Sequence, residues 1–127
     1  MRIYVTSVLV DDQEKALRFY TEILGFVKKE DIPMGAARWL TVVSPEGPND
    51  IELVLEPNSN AAAKTYQESL FQQGIPATSF RAQNIRREFE RMKALGVVFR
   101  QEPTQAGPVT IAKFEDTCGN LIQLHQV

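Results

Sequence analysis

Apolar and β-branched residues predict a strand at the start of the chain, and a helical pattern follows at once. Residues 3–10, IYVTSVLV, have the composition of a strand. Asp11 stands three residues before Glu14, an acid-led variant of the capping box, so a helix is expected to begin near Asp12. Apolar residues then recur at helical spacing up to Gly25, a residue type that commonly ends helices. The chain therefore opens with a strand and an amphipathic helix.

Three further strand patterns complete the first half of the chain. They cover residues 26–30, 38–44 and 50–56, and segments rich in proline and glycine separate them. The segment between the first two, residues 29–37, is either a lid or a simple connector. The first half thus predicts the order βαβββ.

The same order returns after a connecting stretch. That stretch contains a short helical pattern over residues 61–72. Asn84 can cap a second helix, and Gly96 can end it. The strands of this half are predicted at residues 77–82, 97–101, 108–114 and 120–126. The second half also reads βαβββ.

Short stretches of identical or similar residues relate the two halves. Thr-Ser at residues 6–7 recurs at residues 78–79, a shift of 78 − 6 = 72 positions. Ile-Glu-Leu at residues 51–53 recurs as Ile-Gln-Leu at residues 122–124, a shift of 122 − 51 = 71 positions. A repeat of this length is typical of duplicated supersecondary units that pack together.

The length of the chain and the repeat predict its organisation. With 127 residues the chain is long enough for one domain with a real core. We expect one domain over residues 1–127, built from module one (1–57), a connector (58–76) and module two (77–127). The alternative is a ferredoxin-like sandwich with one continuous sheet.

Charge, hydropathy and cysteine content limit the possible binding partners and location of the protein. The formal net charge is −2 with interspersed charges, which lacks the basic patch that nucleic-acid binding needs. No apolar run approaches the length of a membrane span, and the N-terminus lacks the pattern of a signal peptide. The single cysteine, Cys118, cannot form an internal disulfide. We therefore expect a cytoplasmic protein that binds neither nucleic acid nor membranes.

Four segments carry motifs of one known family. They are VDD at residues 10–12, FYTEILGF at 19–26, IEL at 51–53 and EDTCGNLIQL at 115–124. In this order they resemble the vicinal oxygen chelate superfamily of glyoxalases, bleomycin resistance proteins and extradiol dioxygenases. The resemblance implies an α+β fold in which two βαβββ modules form a cup-shaped, eight-stranded mixed sheet with the helices outside. Thr117 replaces the proline of the family's D-P-x-G-N turn, which we expect to matter little for the fold.

The resemblance also implies four positions for metal ligands, one on each of four strands. These positions fall at Val5, Glu52, Ala77 and Gln123. Valine and alanine have no donor atom, and one carboxylate with one amide is too little for tight binding of a transition metal. We therefore expect no metal and no other cofactor, with a divalent metal as the alternative.

Glu52 is the candidate catalytic residue of this set. Flanking Ile51 and Leu53 suggest that the strand turns Glu52 towards the cup, where it acts as a hydrogen-bond acceptor or base. A buried carboxylate needs a partner, so the alternative is a relic paired to Arg81 or Gln123.

Strand alternation and residue chemistry suggest the ligand-binding residues. Arg81 has the parity of Ala77 and Ser79 and is the best candidate for binding an anion. His125, the only histidine, shares a face with Gln123. The full predicted set is Ser7, Trp39, Ser79, Arg81, Gln123 and His125.

These observations favour a metal-independent binder of a small, partly apolar molecule, of the bleomycin-resistance type. The alternative from the same superfamily is a metal-dependent or acid-base lyase, epimerase or dioxygenase. A pure protein-interaction module is a third possibility. Relatives of this length commonly form homodimers, and the cup is expected either within one chain or across a dimer.

Overall fold

Eight strands and three helices follow one another in the predicted order. The computed structural model describes residues 1–127. The elements are β1 (Val5–Val10), α1 (Gln13–Arg18), β2 (Val27–Met34), β3 (Ala37–Val43), β4 (Glu52–Pro57), α2 (Ala61–Gln72), β5 (Thr78–Arg81), α3 (Ile85–Ala94), β6 (Phe99–Ala106), β7 (Val109–Glu115) and β8 (Leu121–Gln126). No helix is both long and apolar enough to cross a membrane.

The chain divides into an N-terminal unit, Met1–Lys64, and a C-terminal unit, Thr65–Val127. The N-terminal sheet has the strand order β1-β4-β3-β2, and the C-terminal sheet has the order β5-β8-β7-β6. In each sheet the first pair is parallel and the other two pairs are antiparallel. The βαβββ repeat is therefore confirmed. Two separate four-stranded mixed sheets do not fit the alternative of one continuous ferredoxin-like sheet.

The first helix begins near Asp12, as its sequence signal indicated. Asp12 is the N-cap, and its side chain accepts a hydrogen bond from the backbone amide of Lys15 at 2.9 Å. This hydrogen bond lowers the pKa of Asp12 below its ordinary 3.8. Asp11, the first residue of the expected capping box, instead forms an ion pair with the Lys15 ammonium at 2.9 Å.

After α1 the helix continues as a π-helical turn, Phe19–Ile23. Phe19 and Tyr20 are both buried here, with their rings edge to face at 5.7 Å. Tyr20 also stacks on Phe26 at 6.4 Å. Gly25, at φ +85°, ends the helix as predicted. The FY pair thus anchors this helix to the core.

The hairpins β2–β3 and β6–β7 are longer than their sequence patterns indicated. Residues 29–37, which we expected to be a lid or a connector, lie in the first hairpin instead. Pro33 and Pro103 made these stretches look like loops, but both prolines lie in the edge strands β2 and β6. An edge strand tolerates proline because one row of its backbone amides needs no partner in the sheet.

Each sheet packs one face against its own helix. In the N-terminal unit this helix face carries buried leucine and valine side chains from β3 and β4, and α1 contacts β4. In the C-terminal unit Phe99 packs edge to face on Phe89 of α3 at 4.8 Å and on Phe114 at 5.7 Å. We name the other side of each sheet its rear face.

Candidate functional site

A buried polar cluster lies on the rear face of the N-terminal sheet. Glu52 is only 3% exposed, and its Oε1 accepts a hydrogen bond from Thr41 Oγ1 at 2.8 Å. Its Oε2 lies 3.3 Å from Lys29 Nζ, and Thr41 Oγ1 accepts a hydrogen bond from the backbone amide of Glu30 at 3.1 Å. The carboxylate is thus held by two residues of its own unit.

The partners of Glu52 differ from those that the sequence suggested. They are Thr41 and Lys29, and not Arg81 or Gln123, which the alternative of a paired relic had named. Both carboxylate oxygens are engaged, which satisfies the buried charge. A catalytic role for Glu52 stays a prediction.

The same rear face carries two more of the predicted residues. Ser7 lies across from Val54 in the parallel β1–β4 pair and is exposed. Trp39 precedes Thr41 by two residues on β3, so strand alternation puts both side chains on this face. Trp39 is half-buried. The structure therefore places Ser7 and Trp39 on the face that carries Glu52.

A polar row crosses the rear face of the C-terminal sheet. Ser79 on β5 lies across from Gln123 on β8, and Gln123 Nε2 donates a hydrogen bond to Ser79 Oγ at 3.3 Å. Lys113 on β7 lies across from Gln123 on its other side. These three side chains share one face because residues directly opposite each other in a sheet point the same way.

A second row lies one step further along the same strands. Arg81 is paired in register with His125, and His125 is paired with Ile111. Arg81 is exposed, whereas His125, Ile111 and Lys113 are half-buried. No carboxylate forms an ion pair with Arg81, Lys113 or His125. The structure thus brings four predicted residues, Ser79, Arg81, Gln123 and His125, onto one surface.

The sheet register relates the implied metal positions differently from the sequence repeat. Val5 lies directly across from Glu52, but the residue across from Gln123 is Ser79 and not Ala77. Ala77 precedes β5, and its amide donates a hydrogen bond to the carbonyl of Leu121 at 2.8 Å. On β5 the sequence repeat therefore points to Ala77, whereas the register of the strands points to Ser79, two residues later.

The residues at these positions do not fit a transition metal. A valine side chain has no donor atom, and a neutral serine hydroxyl is a weak ligand. The Lys29 ammonium lies beside the one carboxylate, Glu52, where it would repel a divalent cation. Nowhere in the chain do three or more His, Cys, Asp or Glu side chains lie together in an arrangement that could hold a metal.

The turn between β7 and β8 is built on side-chain hydrogen bonds. Asp116 Oδ1 accepts from the amides of Cys118 at 2.8 Å and Asn120 at 3.0 Å. Gln67 of α2 donates from Nε2 to the carbonyl oxygen of Cys118 at 3.0 Å and to Asn120 Oδ1 at 3.1 Å. Gln67, Asp116 and Asn120 are all buried, so this network fixes α2 to the turn.

Thr117 in this turn has a φ of +66°. Proline, which the related turns carry at this position, is confined to a φ near −65°. This backbone could not accept proline, so the residue at this position is tied to the local shape of the turn, while the two βαβββ modules form as expected. A β-branched residue in this region is also strained.

Sequence reasoning missed three residues of these clusters. Lys113 alternates with buried Ala112 and Phe114 in β7, so strand parity could have placed it beside Gln123. Thr41 and Lys29 were harder to find. Thr41 lies in an apolar run, and Lys29 lies in the segment that we expected to be a loop.

Comparison with known families gives a match over nearly the whole chain. The family model described as the Glyoxalase/Bleomycin resistance protein/Dioxygenase superfamily matches residues 2–124. The uncharacterized protein YurT of Bacillus subtilis (strain 168) is 57% identical over 126 residues, which cover 99% of each chain.

Two solved structures are similar over almost their full length. UcmS2 has a TM-score of 0.84 and 32% sequence identity, and the match covers 98% of this chain and 97% of that chain. TnmS3, an antibiotic binding protein from Streptomyces sp. CB03234, has a TM-score of 0.76 and 28% identity over 99% of this chain and 95% of its own.

Proposed function

The chain belongs to the glyoxalase/bleomycin resistance protein/dioxygenase superfamily, and from this premise we propose that it binds a small molecule without a transition metal. The observation that carries the proposal is the likeness, over nearly the whole chain, to an antibiotic binding protein. We propose sequestration of the ligand as the mode of action, within one domain over residues 1–127 of a cytoplasmic protein.

The rear face of the C-terminal sheet supports this proposal. It offers accessible polar side chains on β5 and β8 beside the half-buried, apolar Ile111 on β7. Sites for small organic ligands commonly combine apolar surface with a few polar groups that fix the orientation. The polar groups in this case are Ser79, Arg81, Gln123 and His125.

Binding without chemical change is the property to test. The purified chain is titrated with a panel of ring-containing antibiotics, beginning with bleomycin, by calorimetry, and the ligand is then recovered and weighed by mass spectrometry. We expect one ligand per chain, recovered unchanged. A changed product would favour the lyase, epimerase or dioxygenase alternative. Absence of binding across the panel would contradict the proposal.

Freedom from metal is a separate part of the proposal. It is supported by the donor set, in which only Glu52 is anionic and Lys29 already neutralises it. Elemental analysis of the dialysed protein is expected to find far less than one Fe, Zn, Ni or Mn per chain. About one metal per chain, lost in a His125→Ala variant, would promote the metal-dependent enzyme.

We also propose a homodimer. Ile32 and Met34 on the edge strand β2 are 49% and 60% exposed, a combination that favours contact with a second copy. Pro33 between them hinders pairing of backbones, so the contact is expected to form through side chains. Light scattering at micromolar concentration should report a dimer, and Met34→Lys should shift it to monomer. A wild-type monomer would contradict this proposal.

A further inference from the structure

We infer that the rear face of the C-terminal sheet recognises an acidic group of the ligand, so that the ligand is an organic anion with an apolar body. Arg81, Lys113 and His125 are the residues that would hold the acidic group. The inference rests on the proposed binding function and deepens it by naming the class of ligand.

The first step is the placement of the three residues. Arg81 and His125 are directly opposite each other on β5 and β8, which brings their Cβ atoms to about 5 Å. Lys113 lies across from Gln123, two residues before His125 on the same face. This diagonal arrangement corresponds to about 7–8 Å between backbones, within reach of a long side chain. Arg81 and Lys113 lie on the two strands that flank β8, and both side chains are long, so an acidic group seated over His125 is within reach of both.

The second step is the absence of an internal counter-charge. None of the three side chains has an ion-pair partner in the structure. The next acid on this face, Glu115, is already paired with Arg100 Nε at 2.6 Å. The chain as a whole has a net charge of −2, so this local excess of basic groups does not reflect a generally basic protein.

The third step is the surroundings of these groups. Lys113 and His125 are half-buried, and the apolar Ile111 lies directly across from His125. A partly desolvated cation interacts more strongly with an anion than a fully solvated one does. The hydrogen bond to Ser79 orients the Gln123 side chain and uses one of its two amide hydrogens. The side-chain oxygen Oε1 and the second amide hydrogen can therefore bind the ligand.

The N-terminal sheet provides an internal comparison. By register, the positions of Arg81 and His125 correspond to Ser7 and Val54, which are paired on β1 and β4. Neither of these carries a charge. The basic character therefore belongs to one copy of the repeat and not to the fold that both copies share.

Two dyes that differ by one acidic group test the inference. 8-Anilinonaphthalene-1-sulfonate is an organic anion, and N-phenyl-1-naphthylamine has the same rings without the sulfonate. Both are titrated by fluorescence against the wild type, against Arg81→Gln/Lys113→Gln, and against Arg86→Gln/Arg87→Gln. Arg86 and Arg87 are exposed on α3, so this control removes the same charge from elsewhere on the same unit. Thermal unfolding of each variant checks that the fold is retained.

We expect the anionic dye to bind Arg81→Gln/Lys113→Gln at least about tenfold more weakly than the wild type, because two cationic donors to the sulfonate are lost. The neutral dye and the control variant should keep wild-type affinity. Arg81→Lys should give an intermediate affinity for the anionic dye, because it keeps the charge but loses the planar guanidinium.

Three results would overturn the inference. One is that Arg81→Gln/Lys113→Gln keeps wild-type affinity for the anionic dye, and another is an equal loss in the control variant. Both would leave the proposed binding function standing. The third is that the wild type binds neither dye, in which case the antibiotic titration decides the binding function separately.

Discussion

The two units share one order of elements and one order of strands, but they keep their buried polar groups in different places. In the N-terminal unit, Thr41 and Glu52 lie on the rear face of the sheet and bind each other. In the C-terminal unit, Gln67, Asp116 and Asn120 lie around the β7–β8 turn and bind one another there. On the rear face of the C-terminal sheet, Gln123 donates a hydrogen bond to Ser79, but neither side chain is buried.

This difference matters because a buried polar group must be satisfied where it lies. On a sheet face that carries a buried carboxylate, neighbouring side chains must supply its hydrogen bonds and its counter-charge. Where the buried polar groups lie at a turn instead, the polar side chains on the sheet face are available to bind a ligand. Under the proposed function, the polar residues of the N-terminal copy stabilise their own sheet, whereas those of the C-terminal copy are available to a ligand.

The largest expected effect concerns two residues at equivalent places in the repeat. Glu52→Ala should lower the free energy of unfolding by about 3 kcal/mol, because it leaves the hydroxyl of Thr41 buried without its acceptor and opens a void. Gln123→Ala should cost less than about 1 kcal/mol, since Gln123 is half-exposed. Urea unfolding measures both. Similar losses would break the proposed division between the two copies.

The next effect tests the network at the turn. A Cβ added at Gly119 would lie 2.8 Å from Gln67 Nε2, at a φ of +100°. Gly119→Ala should therefore destabilise the chain by about 2 kcal/mol or more, through backbone strain and a displaced buried amide. Gly107→Ala is the matched control, because φ is +63° there but the space is open. Its loss should be about 1 kcal/mol. Equal losses would mean that the contact with Gln67 contributes little.

A smaller effect, of opposite sign, is expected at Thr117. Thr117→Gly should raise the free energy of unfolding by about 0.5–1 kcal/mol, since glycine adopts a φ of +66° without strain. Thr117→Pro should destabilise the turn, since proline cannot adopt this φ. Thermal unfolding measures both variants. If Thr117→Pro were neutral, the turn would be free to change its conformation.

The smallest effect belongs to the surface of the N-terminal hairpin. Hydrogen bonds from the Arg38 guanidinium hold the pKa of Asp31 below its ordinary 3.8. A lowered pKa in the folded state contributes stability above pH 3.8, which is lost as the pH falls through the folded-state value. Between pH 5 and pH 2, the free energy of unfolding should fall less steeply with decreasing pH in Asp31→Asn than in the wild type. Arg38→Gln should behave in the same way, and disagreement between the two variants would exclude this pair as the cause.

Local signals predicted most of the fold. Asn84 caps α3 as expected, accepting from the amide of Arg87 at 3.0 Å, and α2 covers the predicted residues 61–72. Such caps and periodicities depend on residues close in sequence, so they can be recognised without a structure. The hairpin ends were harder to predict. Proline and glycine indicate turns, and only the position of a strand within the sheet shows that it tolerates proline.

The candidate site was predictable only in part. Strand parity correctly grouped Ser79 with Arg81 and Gln123 with His125. Strand parity does not predict which residues of two neighbouring strands are paired. In the structure, Ser79 and not Ala77 lies opposite Gln123. Register depends on hydrogen bonds between residues far apart in sequence, and a short repeat does not determine it to within two positions.

Two of the edge strands have a consequence for aggregation of the protein. Pro33 in β2 and Pro103 in β6 each remove a backbone donor from an outer edge, and both strands pair with their neighbours through irregular register. Edges of this kind resist the addition of strands from other molecules. At β2 and β6, both copies of the repeat thus hinder the growth of their sheets into aggregates.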